Sequence, residues 1–293
     1  MRSLLSVLLI SQLLVSCERE ITFNLNQPAP KLVVEALIEN GEPPIVLLTT
    51  SIGYYAAVSL PILNESLVKD AEVSIDYQGI RYPLKGYATV GPFRLLGFYY
   101  TVDSMAQQPL LRGVLGGRYK LNIRWKGESY AASTTIPDTT RTIDSIFWKI
   151  PPPGNPPGKA AVYVRAKDRS GLGDYIRYFT KQNNGPFLPG LNSVFDDQVI
   201  DGTSYEVQIE RGVIRTGELE EGYSLFNRGD TVQLKLCTID KATYDFWRTT
   251  EFNFASVGNP FSSPTRVLSN LSNGALGYFG GYAVQYRRLI IPR

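Results

Sequence analysis

The chain has 293 residues and no histidine. That absence excludes Ser-His-Asp and Cys-His catalysis and every histidine-ligated metal site. Only two cysteines are present, Cys17 and Cys237, and they form no disulfide framework if the first carries lipid. An excess of either charge is also missing. Thirty Lys and Arg against 27 Asp and Glu leave a formal +3, too small and too evenly spread to suggest a nucleic-acid partner. Methionine is scarce at two residues, whereas tyrosine is abundant at 18. Carboxylate chemistry is still open to the chain.

The first thirty residues are read as an address. Arg2 supplies a minimal positive start, and Leu4 to Val15 is apolar apart from Ser6, Ser11 and Gln12. This run is too short to span a bilayer but suits a signal-peptide core, which gives residues 1–16 as a leader. Leu14-Val15-Ser16-Cys17 resembles a bacterial lipobox, with a small residue before the cut and a thiol after it. Cys17 is therefore the expected lipidation site. Each buried CH₂ contributes roughly 0.8 kcal/mol, so two or three acyl (palmitate-type) chains make a stable anchor. Glu18 and Glu20 follow at once and resemble the surface-export signal of lipoproteins in Bacteroidota, the alternative being a solvated tether. Residues 17–30 are then a lipidated tether, ending in Pro28-Ala29-Pro30, which disfavours helix.

Beyond the tether the pattern is mainly β. Val73, Ile75 and Tyr77 alternate with polar neighbours, Gln78-Gly79 turns the chain, and Ile80, Tyr82 and Leu84 return. Tyr119, Leu121, Ile123 and Trp125 repeat the design, with a turn at Lys126-Gly127 and a return through Tyr130 to Ile136. Residues 31–138 are thus expected to form an immunoglobulin-like or transthyretin-like β-sandwich. Residues 139–293 read as a second β-rich domain. Its strands are placed at 143–150 and near 160–167, 174–181, 204–211, 230–238 and 282–291. The segment 151–158, PPPGNPPG, reads as a loop within it. One helix is expected near 240–252, with Asp240 as N-cap and Ile239 with Tyr244 as a hydrophobic staple. Tyr244, Trp247 and Phe254 share a face there, Glu251 lies between them, and the stripe is expected to pack on the sheet. On the strand through Val232, Leu234 and Leu236, Cys237 falls on the opposite face and reads as a free structural thiol.

Candidate sites are few. Asp196, Asp197 and Asp201 cluster before Gly202 and are weak calcium candidates, since their spacing misses the EF-hand pattern. Glu218, Glu220 and Glu221 offer a glycosidase-like pairing with those aspartates. Tyr54, Tyr55, Tyr99 and Tyr100 lie in aromatic-rich segments and are candidates for ligand or partner contact. The glycines of NGALGYFGGY, residues 273–282, fit no nucleotide fingerprint and suggest close backbone contact.

The lipobox, the runs KLVVEALIENGEPPIVLLTTS and YAASTTIPDTTRTIDSIFW, the helix TIDKATYDFWRT and the segment LSNLSNGALGYFGGYAV together resemble a Bacteroidota outer-membrane lipoprotein family, domain of unknown function 4249. The resemblance covers nearly the whole chain, and the last segment is its most specific part. It implies a lipoprotein of the outer membrane, facing the cell exterior, beside a TonB-dependent receptor in nutrient uptake. The expectation is a non-enzymatic accessory or ligand-binding partner of such a receptor, with no cofactor and no nucleic acid. A carboxylate-dependent glycan hydrolase and an adhesin or envelope scaffold are the alternatives. Two facing carboxylates in an aromatic cleft would favour the hydrolase.

Overall fold

The alternating runs become strands because their apolar side chains, spaced every second residue, fall on one buried face. In a computed structural model, residues 29–53, 58–90, 96–105, 110–138, 142–198, 200–215, 219–256, 263 and 265–293 are described. Leu32–Glu39 (β1), Ile45–Thr50 (β2), Glu72–Tyr77 (β3), Ile80–Val90 (β4), Leu96–Val102 (β5), Arg118–Trp125 (β6) and Glu128–Thr135 (β7) lie in the order β1-β2-β5-β4-β3-β6-β7. All their pairings are antiparallel. The two expected turns are present. Gln78 and Gly79 have φ of 50° and 79°, and Lys126 and Gly127 have 50° and 80°, the left-handed pair that a two-residue hairpin needs. A six-residue helix, Leu60–Glu65 (α1), absent from the sequence reading, joins β2 to β3.

The rest of the chain supplies Thr142–Lys149 (β8), Lys159–Lys167 (β9), Tyr175–Gln182 (β10), Leu188–Asp196 (β11), Ser204–Ile209 (β12), Phe226–Asn227 (β13), Thr231–Ile239 (β14), the helix Lys241–Ser256 (α2) and Leu276–Ile290 (β15). The fold is mainly β, as expected, with one long helix. β8 and β9 pair antiparallel on either side of the proline-rich segment, which is therefore the loop between them. β11 and the two-residue β13 were not anticipated; Pro189 and Gly190 interrupt the alternation of the first, and the second is too short to show one.

β15 ties the two halves together. Its first half runs parallel to β1, from Val33 opposite Leu276 to Glu39 opposite Tyr282. Its second half runs antiparallel to β14. One sheet of eleven strands therefore continues from β11 through β14, β15 and β1 to β7. The sheet rolls until the free edge of β7 returns to the segment before β15. There the Ser272 amide donates to the Ala131 carbonyl at 2.8 Å, and Asn270 Nδ2 donates to the Phe279 carbonyl at 2.8 Å and to that of Ser133 at 3.2 Å. Inside the roll lies the first core, with Val34, Ile38, Leu48, Ile75, Tyr119 and Leu121 joined by Phe279 from β15.

The far end of the sheet has both faces covered. A second sheet, in which β9 lies between β8 and β12 and also pairs with the short β13, packs on one face. Val162, Phe226, Val232, Leu234 and Ile291 fill the space between. Helix α2 covers the opposite face over Ile239, Tyr278 and Tyr282. Asp240 caps it: the Thr243 amide donates to Oδ1 at 2.9 Å. Its other oxygen accepts the Thr134 hydroxyl at 2.6 Å and the Thr135 amide at 3.2 Å, so the cap also holds the end of β7. Tyr244 and Trp247 pack on the sheet as expected, but Phe254 is 53% exposed. Phe252, in the same last turns of α2, is exposed as well.

β14 shows why both faces are specified. Val232, Leu234 and Leu236 enter the core between the sheets, while Cys237 faces α2 and is fully buried. Burial pushes the Cys237 thiol up to about 12 from its ordinary 9.0, with Lys235 opposing only in part. Between these values the folded state keeps a proton that the unfolded chain has lost, so stability falls as pH rises. Urea unfolding from pH 9 towards 12 should therefore show a steeper loss for the wild type than for Cys237→Ala. The extra slope should reach at most about 1.4 kcal/mol per pH unit. Parallel slopes for the two proteins would contradict it.

Candidate functional site

The two sheets of the far end do not close fully on each other. A cleft of about 610 Å³ remains between β12 and the β10–β11 side of the large sheet. Ile176, Tyr178 and Leu236 form its floor, and Tyr205 and Val207 face it from β12. Phe195 stacks on Tyr178 with ring centroids 6.0 Å apart. Val207 and Phe195 are still 41% and 40% exposed, although both lie in the wall of the cleft. Strand period explains the pattern: Tyr205, Val207 and Ile209 share the inward face of β12, while Glu206 points outward to Arg165 and Lys149. Apolar surface that neither sheet covers, in a volume of this size, is the usual form of a small-molecule site.

The polar groups collect at the mouth, where the cleft reaches round the end of edge strand β11 to helix α2. Asp196, Gln198, Tyr244 and Arg248 stand there. The Tyr244 hydroxyl donates to Asp196 Oδ2 at 2.9 Å. Burial and this hydrogen bond push the Tyr244 hydroxyl up to about 12. Arg248 is exposed, with its guanidinium 5.7 Å from the Tyr244 ring centre. Among the described residues, neither Asp196 nor Arg248 belongs to a salt bridge.

A buried ionic chain fixes α2 against β10 and β11. Glu251, 5% exposed, accepts the Ser193 amide at 2.9 Å, the Ser193 hydroxyl at 2.5 Å and Arg215 Nη2 at 2.7 Å. Arg177, also buried, donates to Ser193 Oγ at 3.3 Å and to the Tyr282 hydroxyl at 3.4 Å. Its guanidinium lies 3.4 Å from the centre of the Trp247 ring, a cation–π contact. The same helix turn that buries Glu251 leaves Arg248 exposed, so this chain sets where the mouth's cation sits.

The three aspartates noted in the sequence separate. Asp196 turns to Tyr244 at the mouth. Asp197 is buried and accepts the amides of Gly173 at 2.9 Å and Asp174 at 3.0 Å, and Asp201 accepts that of Gly171 at 2.7 Å. Asp168 and Asp174, rather than Asp196 and Asp201, join Asp197: one carboxylate oxygen from each lies within 4.8 Å of the others. They form a hard-cation donor set, but three oxygens are fewer than the roughly six to eight that calcium takes. Their visible work is to clamp the 168–174 loop to the 197–202 turn, where Asp168 also accepts the Gly202 amide at 3.3 Å. DRSGLGD, residues 168–174, with aspartates around two glycines, was the signal available in the sequence.

Of the tyrosines, Tyr99 is half-buried and stacks on Tyr87 with centroids 6.0 Å apart. Tyr100 is buried; its hydroxyl donates to the Val68 carbonyl and accepts the Ala71 amide, each at 3.1 Å. Glu220 and Glu221 are exposed in the turn before β13. Cys17, Tyr54, Tyr55 and Glu218 lie outside the described residues. Apart from Asp196 and Tyr244, the cleft residues were missed because the walls come from strands of two different sheets, which meet only on folding.

No curated protein matches the chain. Matched over residues 18–288 by the model for "Domain of unknown function (DUF4249)", the chain belongs to that family.

Proposed function

We propose that the protein is a non-enzymatic, ligand-binding surface lipoprotein of the Bacteroidota outer membrane. In this reading Cys17 carries the lipid, Glu18 and Glu20 direct the chain to the cell exterior, and the partner is a TonB-dependent receptor that imports nutrients. The observation that carries the binding role is the open apolar cleft, with Val207 and Phe195 exposed inside it. Among the described residues Asp196 stands alone as a carboxylate at the mouth, since Glu206 points outward to Arg165 and Lys149, and one carboxylate suits holding a ligand better than the facing pair a glycan hydrolase uses. A lipid anchor would keep receptor and binder in one plane, where even weak affinity gives high occupancy.

The test joins location to partner. Cys17→Ala should leave an unprocessed precursor lacking the acyl mass in intact-mass analysis. Crosslinking in intact cells and purification through the wild-type protein should recover a TonB-dependent β-barrel, and Cys17→Ala should recover none. Recovery of no barrel, together with turnover of a glycan that Asp or Glu substitutions abolish, would favour the hydrolase instead.

A further inference from the structure

The mouth of the cleft carries one cation and one anion, both beside the same tyrosine. Arg248 lies over Tyr244, and Asp196 accepts the Tyr244 hydroxyl. No ion pair joins the two to each other or to any other described residue. Behind them the walls are aliphatic and aromatic: Ile176, Val207 and Leu236 with Phe195 and Tyr205. A ligand that satisfies both ends needs an apolar body, a negative group for the guanidinium and a positive group for the carboxylate.

We infer that the cleft binds a zwitterion with apolar side chains, of the amino-acid or short-peptide class, its carboxylate on Arg248, its ammonium on Asp196 and its side chains between the sheets. This deepens the ligand-binding reading above and rests on it. A purely apolar ligand would leave both charges at the mouth with no opposite charge, only the neutral Tyr244 between them. A simple carboxylate would meet Arg248 but bring its negative charge beside Asp196. A hydrophilic sugar would place its hydroxyls against Val207 and Leu236, where they find no hydrogen-bond partner. The volume of about 610 Å³ falls within the range of sites that enclose small ligands.

The test uses the intact protein, free of detergent. N-phenylnaphthylamine, neutral and apolar, should brighten on binding, and Val207→Trp, which fills the cleft from an already exposed position, should abolish the signal. Titration calorimetry should show phenylalanyl-leucine binding at one molecule per chain. The zwitterion should bind Arg248→Gln or Asp196→Asn about ten-fold more weakly, the size of losing one charged hydrogen bond, and the acetylated and amidated form, which loses both, should bind the wild type about a hundred-fold more weakly. Asp196→Asn keeps an acceptor for Tyr244, so its effect reports charge. Binding of the naphthylamine with no preference for the zwitterion, or with both charge variants unchanged, overturns the ligand class and leaves the cleft a binding site. No binding of the naphthylamine or of either peptide overturns the binding-site reading as well.

Discussion

Glu251→Ala is expected to be among the most destabilising single substitutions in the chain, lowering unfolding stability by about 3–5 kcal/mol. The carboxylate joins Arg215 directly, and Arg177 through Ser193, into one buried chain. Removing it strands Arg215, only 14% exposed, and leaves the Ser193 amide and hydroxyl without their acceptor. Arg215 keeps hydrogen bonds to the carbonyls of Gly190 and Leu191, but these carry no full negative charge. Glu251→Gln, which retains one acceptor oxygen and the side-chain shape, should lose less. Urea titrations followed by tryptophan fluorescence suit the measurement, because Trp247 stacks on Arg177 in the same cluster. Equal losses for Ala and Gln would assign the whole effect to the lost charge, and a small loss for both would mean that charge pairing contributes little there.

Gly277→Ala should be comparably severe for a different reason. Gly277 has φ +99°, and an added Cβ would lie 1.9 Å from the Val34 carbonyl oxygen. Backbone strain alone costs about 1–3 kcal/mol. The contact with rigid backbone adds to it, because β1 and β15 must separate where Val34 pairs with Gly277. The total should exceed about 3 kcal/mol, in the range of the largest single-site effects. Gly274→Ala is the matched control: its φ is +68°, but its Cβ would meet nothing within 4 Å. It should cost about 1–2 kcal/mol, the left-handed penalty alone. If the two variants unfold at the same urea concentration, β1 and β15 are not in the close register described. The close backbone contact expected of the Gly-rich C-terminal segment is thus located: Gly277 lies against β1, and Gly281 against the Thr135 carbonyl at the end of β7.

Local chemistry was legible in the sequence because it depends on neighbours a few residues apart. Period-two alternation marked β3, β4, β6 and β7, the residue pairs Gln78-Gly79 and Lys126-Gly127 marked the hairpins, and Asp240 marked the start of α2. The opposite faces of Leu236 and Cys237 on β14 follow from the same period. The parallel pairing of β1 with β15 does not, since more than two hundred residues separate them and parallel register leaves no turn signal. Glu251 read as a polar residue in an aromatic stripe; only folding brings Ser193 and Arg215 to it and makes it buried charge. Asp196 and Asp197 are adjacent in sequence yet serve different structures, because successive residues at the end of β11 point to different sides. The cleft was least visible of all. Each wall residue is an ordinary apolar residue of its own strand, and a cavity exists only where two surfaces fail to meet, a property of how the sheets pack and of no local segment.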